Sequence, residues 1–173
     1  FGDVSYKVAD GTDINQKIIN ITVEEKPTGE ISAGAGYGTD GSTFSFSLSE
    51  NNFQGKGIKL KTNLSLSEQR IKGLFSYTHP NFRYTGRALT TSVQSTVTDK
   101  MTNYGYKSTL NKLAFGTSYE QYDDIFFSPT FSIGNESLTT NSSASANLKK
   151  QEGSYFDTNL FYALSYDRRN QAF

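Results

Sequence analysis

The sequence of 173 residues contains no cysteine and no tryptophan, and it has one histidine, one methionine and three prolines. The absence of cysteine excludes disulfide bonds, thiolate metal sites and a cysteine nucleophile. The 17 basic and 17 acidic side chains cancel, so the net charge gives no reason to expect nucleic acid or an anionic membrane surface as a partner. No run of about 18 or more apolar residues occurs, which excludes a transmembrane helix of the usual length.

We expect both ends of the sequence to be cut from a longer chain. The sequence begins at Phe1 without a methionine or a signal peptide, and it stops at Phe173 shortly after the charged cluster Asp167-Arg168-Arg169. The missing signal peptide therefore does not argue for a cytoplasmic location.

The composition that remains is polar but rich in aromatic residues. Hydrophobic residues make up 35% of the chain, aromatic residues 14%, and the mean hydropathy is -0.55. Most of the polarity comes from Ser, Thr, Asn and Gln rather than from charged side chains. This mixture is typical of β-strands that have one polar face and one aromatic or aliphatic face.

Residues 1–27 differ from the rest of the sequence. Val4–Val8 alternates between apolar and polar residues, Asp10–Asp13 has the composition of a turn, and Ile18–Glu25 reads as a second strand. This pattern predicts the last hairpin of a small α+β module. Pro27 cannot donate a hydrogen bond to a strand ladder, so it predicts a hinge at the module's end.

From Gly29 onward the sequence alternates with a period of two, which predicts strands separated by turns. The predicted strands are Gly29–Gly38, then those carrying Phe44 to Leu48, Ile58 to Leu66, Ile71 to Tyr77, Leu89 to Val97, about Tyr104 to Gln121, about Ile125 to Leu138, and Phe156 to Tyr166. A strand of about ten residues is long enough to cross a bilayer with tilt. The Ser- and Asn-rich segment Thr139–Ser154 is expected to be an exposed loop.

Periodicity alone leaves a soluble β-sandwich or lipocalin-like barrel open, so the composition of the faces must decide. In the second of these strands, Ser45, Ser47 and Ser49 form one face, and it is small and uncharged. A solvated protein surface usually carries many charged residues. Small polar residues lining a lumen, with the aromatic face toward lipid, account for the pattern better, so we expect an antiparallel transmembrane β-barrel.

Three motifs in order resemble those of the BamA family of outer-membrane protein assembly factors. Val23–Gly29 followed by Gly34–Thr39 resembles the family's junction between its last periplasmic POTRA module and the first barrel strand. Glu50–Gly57 resembles the turn after strand two, and Thr78–Phe82 resembles the turn after strand four. Tyr166–Asn170 is similar to the link after strand eight.

The resemblance implies a barrel of about 16 strands, of which this chain holds about the first half as residues 28–173, after the end of a POTRA module at residues 1–27. It implies a location in the bacterial outer membrane with the N-terminal segment in the periplasm. The partners it implies are nascent outer-membrane β-barrel proteins, outer-membrane lipid, and accessory periplasmic lipoproteins that bind through the POTRA modules. The family's Arg-Gly-Phe loop lies later in the barrel and is absent from this sequence.

In this family the first barrel strand pairs weakly with the last and forms a lateral gate. Strand glycines pack no side chain, and each reduces stability by roughly 0.5–1 kcal/mol relative to Ala, which fits a weak seam. The other interpretation is that these glycines only leave room in the lumen or let the sheet bend. The residues predicted to bind a substrate strand are Gly29, Glu30, Ile31, Ser32, Ala33, Gly34, Ala35, Gly36, Tyr37 and Gly38, with Pro27 and Thr28 as the hinge to the periplasmic module.

No residue pattern indicates an enzyme, a cofactor or a metal site. His79 is the single histidine and precedes Pro80 in a turn, without partners at metal-ligand spacing. The neighbouring carboxylates of Asp123-Asp124 and Glu24-Glu25 would point to opposite faces of a strand, so they are not a catalytic pair. Asp167-Arg168-Arg169 is expected to be a solvated turn, with a charge cluster in the lumen or at the rim as the alternative.

Three other functions stay open at this point. The chain could belong to a two-partner-secretion or translocation-assembly transporter of the same superfamily, or it could be a self-contained eight-stranded pore or adhesin. A soluble β-rich binding domain is the third. Phe173 resembles the aromatic end of complete outer-membrane proteins, but Arg169 and Gln171 stand where such an end needs apolar residues, so Phe173 is interpreted as a truncation point.

Overall fold

The computed structural model describes residues 2–13, 15–39 and 41–169. Residues Asn170, Gln171 and Phe173, on which the predictions for the C-terminal end depend, lie outside this part. The chain begins with a hairpin of β1 (Asp3–Asp10) and β2 (Lys17–Glu24). These strands pair antiparallel from Asp3 opposite Glu24 to Asp10 opposite Lys17, as the alternation of residues 1–27 predicts.

The second sheet has eight antiparallel strands, each paired with its neighbours in the sequence. The strands are β3 (Gly29–Gly38), β4 (Gly41–Phe53), β5 (Ile58–Ser67), β6 (Arg70–His79), β7 (Ala88–Lys100), β8 (Tyr106–Tyr122), β9 (Ile125–Thr140) and β10 (Gly153–Tyr166). Within the described residues, β3 and β10 are the two edges and have no second neighbour. The eight strands therefore do not close on themselves, which argues against a self-contained eight-stranded barrel.

In the described part of the chain, three short helical segments lie in the connections. They are a 3-10 turn (Phe82–Tyr84), α1 (Met101–Tyr104) and α2 (Ala146–Lys150). None of the helices in the described ranges is long and apolar enough to span a membrane.

The structure confirms the number and order of the predicted strands and corrects two connections. Glu50–Gly57 was predicted to be a turn, but β4 continues through Phe53, because a bulge after Glu50 restores pairing between Phe53 and Ile58. The predicted loop Thr139–Ser154 is reduced to residues 141–152 and contains α2. The Ser145 hydroxyl caps that helix by accepting a hydrogen bond from the Leu148 amide.

Each strand of the large sheet places alternate residues on two faces of different composition. Phe46 lies opposite Leu64 on what we call the apolar face, and Ser45 lies opposite Ser65 on the polar face. The apolar face stays exposed: Leu160 is 72% exposed and Tyr162 is 73% exposed. A soluble sandwich would bury such residues in a packed core, so the exposed face favours the membrane-barrel prediction.

The apolar band crosses the sheet obliquely. In β4 it is centred near Phe46, but the row of paired residues that starts at Phe46 passes through Ser95, Asn111 and Asn135 and reaches Phe156 in β10. The exposed apolar residues of β10 are instead centred near Tyr162. At about 3.3 Å per residue and about 4.8 Å per strand, a shift of roughly six residues over six strand spacings corresponds to strands tilted by about 35°. Membrane β-barrels have strand tilts of about 35–45°, so the band marks a bilayer-spanning sheet.

Candidate functional site at the free edge of the sheet

Every predicted gate residue lies in β3, whose limits Gly29 and Gly38 are those predicted from the sequence. The strand pairs with β4 from Gly29 opposite Glu50 to Gly38 opposite Gly41. No strand of the described residues pairs with its other side. Within the described residues, the predicted site is therefore an edge strand of the sheet.

The pairing pattern identifies which backbone groups this edge exposes. The Asn51 amide donates to the Thr28 carbonyl oxygen over 3.1 Å, which makes this position a hydrogen-bonded pair. Hydrogen-bonded and non-hydrogen-bonded pairs alternate along an antiparallel ladder. Even-numbered residues of β3 therefore bond to β4, and odd-numbered residues direct their N–H and C=O groups away from it. The residues that present backbone groups to the free edge are Gly29, Ile31, Ala33, Ala35 and Tyr37.

These same odd-numbered residues place their side chains on the apolar face. Ile31 is 68% exposed and Tyr37 is 87% exposed. The strand thus combines unpaired backbone groups with a lipid-facing surface. In hydrocarbon each unpaired backbone group costs several kcal/mol, so such an edge has a strong tendency to pair with another strand.

The glycines of β3 do not share one packing role. A Cβ added at Gly34 would lie 3.0 Å from the Ser45 hydroxyl oxygen, so a side chain there would crowd β4. A Cβ added at Gly36 or Gly38 would meet nothing within 4 Å. Packing within the described residues thus explains Gly34 but not Gly36 or Gly38, where the conformational freedom of glycine is the remaining physical effect.

The first residues of β3 are fastened to β4 by side chains. The Thr28 hydroxyl donates to the Glu50 carboxylate over 2.5 Å, and the Asn51 side-chain amide donates to the Thr28 carbonyl oxygen over 3.2 Å. Glu50 also accepts from the Asn52 amide over 2.7 Å. The predicted hinge residue Thr28 is therefore held to β4 by side chains, and residues 25–28, which include Pro27, connect β2 to β3.

Sequence reasoning missed Glu50 and Asn51 as parts of the site. Both were assigned to a turn because Glu-Asn-Asn has turn composition. Only the pairing of β3 with β4 brings them close to Thr28. Thr28 and Glu50 are 22 residues apart in the sequence, so no local pattern reveals their contact.

The other candidates considered from the sequence lie in turns or at the ends of strands. His79 lies at the end of β6, and its ring packs edge-on against Phe82 with 5.7 Å between the ring centroids. Across the described residues there is no group of three or more His, Asp or Glu placed to hold a metal ion. Asp124 adopts a left-handed turn conformation with φ of 65°, and its carboxylate lies 3.6 Å from the Arg168 guanidinium.

The charged cluster after β10 is exposed, as a solvated turn should be. The Arg169 guanidinium donates to Asp167, with 2.5 Å between Nη2 and Oδ2, and this contact lowers the pKa of Asp167 from 3.8 to about 2. Because the pKa falls on folding, the contact is present at neutral pH and is lost as the pH drops from about 4 toward 2. The Arg169 side chain is 87% exposed and that of Asp167 is 35% exposed, so the pair makes at most a small contribution to stability.

Comparison with known proteins places this sheet in a family. Residues 52–173 match the model of the Omp85 superfamily domain. A solved structure, "The crystal structure of BamA from Haemophilus ducreyi lacking POTRA domains 1-3", matches with a TM-score of 0.74 and 20% sequence identity. The match covers 99% of this chain and 36% of that one, so the chain spans about a third of the length of the solved protein.

At this level of identity the structural match establishes the fold, which is that of a BamA-like outer-membrane barrel with its sheet still open. No curated protein sequence matches the chain. The family model covers well over half of the residues, from 52 to the end. The chain belongs to the Omp85 superfamily.

Proposed function

We propose that this chain is part of an outer-membrane protein assembly factor, in which the free edge of β3 templates the terminal strand of incoming β-barrel proteins. One observation carries the proposal. The first strand of the sheet directs the backbone groups of Ile31, Ala33, Ala35 and Tyr37 away from β4, and side chains added at Gly36 and Gly38 would meet open space.

The chemistry of such an edge suits many unrelated substrates. A strand added to a sheet edge is held mainly by main-chain hydrogen bonds, which make few demands on sequence. The small side chains of Ala33 and Ala35 leave the approach to those backbone groups open. No covalent step is required, and the edge acts as a binding surface rather than an enzyme.

The remaining parts of the chain fit the same function. The β1–β2 hairpin exposes an apolar face that includes Tyr6 (72%) and Ile21 (64%). An exposed apolar face of this kind is usually packed against another part of a protein. This supports the assignment of residues 1–27 as the end of a periplasmic POTRA module, which leaves residues 28–173 as the first half of the barrel. We place the N-terminal segment in the periplasm, where accessory lipoproteins would bind through the POTRA modules, and the sheet in the outer membrane.

The proposal gives Gly36 a role in mobility. Gly36→Ala should stiffen β3, because alanine removes backbone freedom equivalent to roughly 0.5–1 kcal/mol and meets open space in the fold. We expect the full-length protein carrying this change to fold normally and to assemble a barrel substrate about two- to fivefold more slowly in proteoliposomes.

Gly73→Ala is the matched control. Gly73 lies in the interior strand β6, and a Cβ there also meets nothing within 4 Å. Equal assembly rates for Gly36→Ala and the unmodified protein, or equal slowing by both substitutions, would show that strand mobility at β3 does not limit the reaction.

A further inference from the structure

The turn between β6 and β7 is held by internal hydrogen bonds. It lies at the end of the sheet where residues 25–28 join it, which we call the linker end. The Phe82 amide donates to the Arg87 carbonyl oxygen over 2.8 Å, and the Gly86 amide donates to the Asn81 side chain over 2.8 Å. Arg83 and Tyr84 both have positive φ, 53° and 58°. Two consecutive non-glycine residues in the left-handed region store strain of about 1–3 kcal/mol each, and such strain is concentrated at functional sites.

This turn presents two arginines whose charges are not neutralised within the described residues. The Arg83 guanidinium carbon lies 5.3 Å from the centroid of the Phe82 ring, and that of Arg87 lies 4.9 Å from the centroid of Tyr119. Neither arginine forms an ion pair with a carboxylate in the described part of the chain. Stacking on a ring holds a guanidinium flat and leaves its N–H edge available for a phosphate.

Both arginines line one open cavity of about 400 Å³. Its wall continues onto Leu89 and Thr117, which lie opposite each other on the apolar face of β7 and β8. The cavity thus joins two cations to the lipid-facing surface at the level where the strands leave the apolar band. This is the level of phospholipid headgroups, where aromatic and basic side chains accumulate in membrane proteins.

We propose that this cavity, the Arg83–Arg87 site, binds the phosphodiester headgroup of an anionic phospholipid. The two guanidiniums hold the phosphate, and an acyl chain runs along Leu89 and Thr117. The apolar wall distinguishes a lipid from free phosphate, which would gain nothing from it. That this end of the sheet lies in the periplasmic leaflet of the membrane rests on the proposed function. The lipid site itself does not depend on that function.

The test uses full-length protein reconstituted in nanodiscs, with native mass spectrometry to count retained lipids during titration with palmitoyl-oleoyl-phosphatidylglycerol. We expect the double variant Arg83→Gln/Arg87→Gln to bind this lipid roughly tenfold more weakly, because two charge-assisted hydrogen-bonding groups are lost. Lys56→Gln is the matched control, since it removes an exposed cation from the neighbouring turn at the same end of the sheet. The mobility shift between unheated and heated samples in electrophoresis verifies that each variant is folded.

Unchanged lipid retention in the double variant, or an equal loss in Lys56→Gln, would overturn the proposal. Competition by glycerol phosphate at the same concentration as the lipid would also overturn it, because the site would then recognise phosphate alone. If the substitutions leave lipid binding intact but abolish a cross-link from Tyr84 to the periplasmic module, the turn is a protein contact and the proposal fails. If the double variant loses the lipid but still assembles substrate at the normal rate, the lipid site is supported and acts independently of the gate strand.

Discussion

Replacing Ala33 with proline should slow substrate assembly at least roughly tenfold while leaving the eight-stranded sheet intact. Ala33 directs its N–H group to the free edge of β3, so proline removes a donor that the incoming strand needs but that β4 does not use. The carbonyl group of the incoming strand that would accept from the Ala33 amide is then left unpaired, which costs several kcal/mol in lipid. We therefore expect assembly to slow by at least roughly tenfold. The measurement is the rate at which the full-length protein inserts a radiolabelled barrel substrate into proteoliposomes.

Gly34→Pro provides the comparison, since the neighbouring residue directs its N–H group to β4. Here proline should disrupt the β3–β4 ladder and destabilise the fold itself, visible as loss of the heat-dependent shift in electrophoresis. If Ala33→Pro assembles substrate at the normal rate, the free edge is not the template. If both variants unfold equally, the assignment of odd-numbered residues to the free edge is wrong.

A large loss of stability is expected for Gly105→Ala, at the opposite end of the sheet. Gly105 has φ of 72°, and a Cβ there would lie 2.5 Å from the Ala144 nitrogen and 2.5 Å from Asn141 Oδ1. Its carbonyl oxygen accepts from the Asn141 amide over 2.8 Å, and the Asn141 side chain donates to Met101 over 3.2 Å. This glycine therefore allows the β7–β8 connection to pack directly against residues 141–144.

We expect Gly105→Ala to lower the free energy of unfolding by about 2–4 kcal/mol, from left-handed strain plus the clash. The temperature at which the heat-dependent shift is lost should fall by about 4–16 °C, at about 2–4 °C per kcal/mol for a domain of this size. Gly55→Ala separates the two causes, because Gly55 has φ of 70° but open space around its Cβ position. That variant should lose only about 1 kcal/mol. Equal effects of the two substitutions would show that close packing of the two connections contributes nothing.

The alternation of apolar and small polar residues was sufficient to predict the strands and their faces. Phe44, Phe46 and Leu48 alternate with serines without interruption, and a period of two has only one structural interpretation over that length. The limits of β3 were predictable for the same reason, since Pro27 bars the ladder on one side and a turn follows Gly38. Family resemblance then indicated which strand is the edge.

The parts that could not be predicted depend on contacts between distant residues. The contacts of Glu50 and Asn51 with Thr28 could not be predicted from neighbouring residues, because they follow from the register of two strands. The bulge after Glu50 could not be predicted either, because the segment has the composition of a turn. The left-handed conformations of Arg83 and Tyr84 are also invisible in sequence, since neither residue favours positive φ. The different surroundings of Gly34 and Gly36 could not be predicted from the sequence either. The two glycines occupy similar sequence positions, but only at Gly34 would a side chain contact β4.

Photo-crosslinking from β3 during assembly tests the central claim most directly. A photoreactive amino acid is placed in the full-length protein at Ile31, Ala33 or Ala35, and at Val93 as the control, which is 51% exposed on the same apolar face but lies in the interior strand β7. The edge positions should form adducts with the terminal strand of a substrate, and Val93 should form none. Normal assembly without adducts at any of the three edge positions, or equal adducts at Val93, would contradict the account.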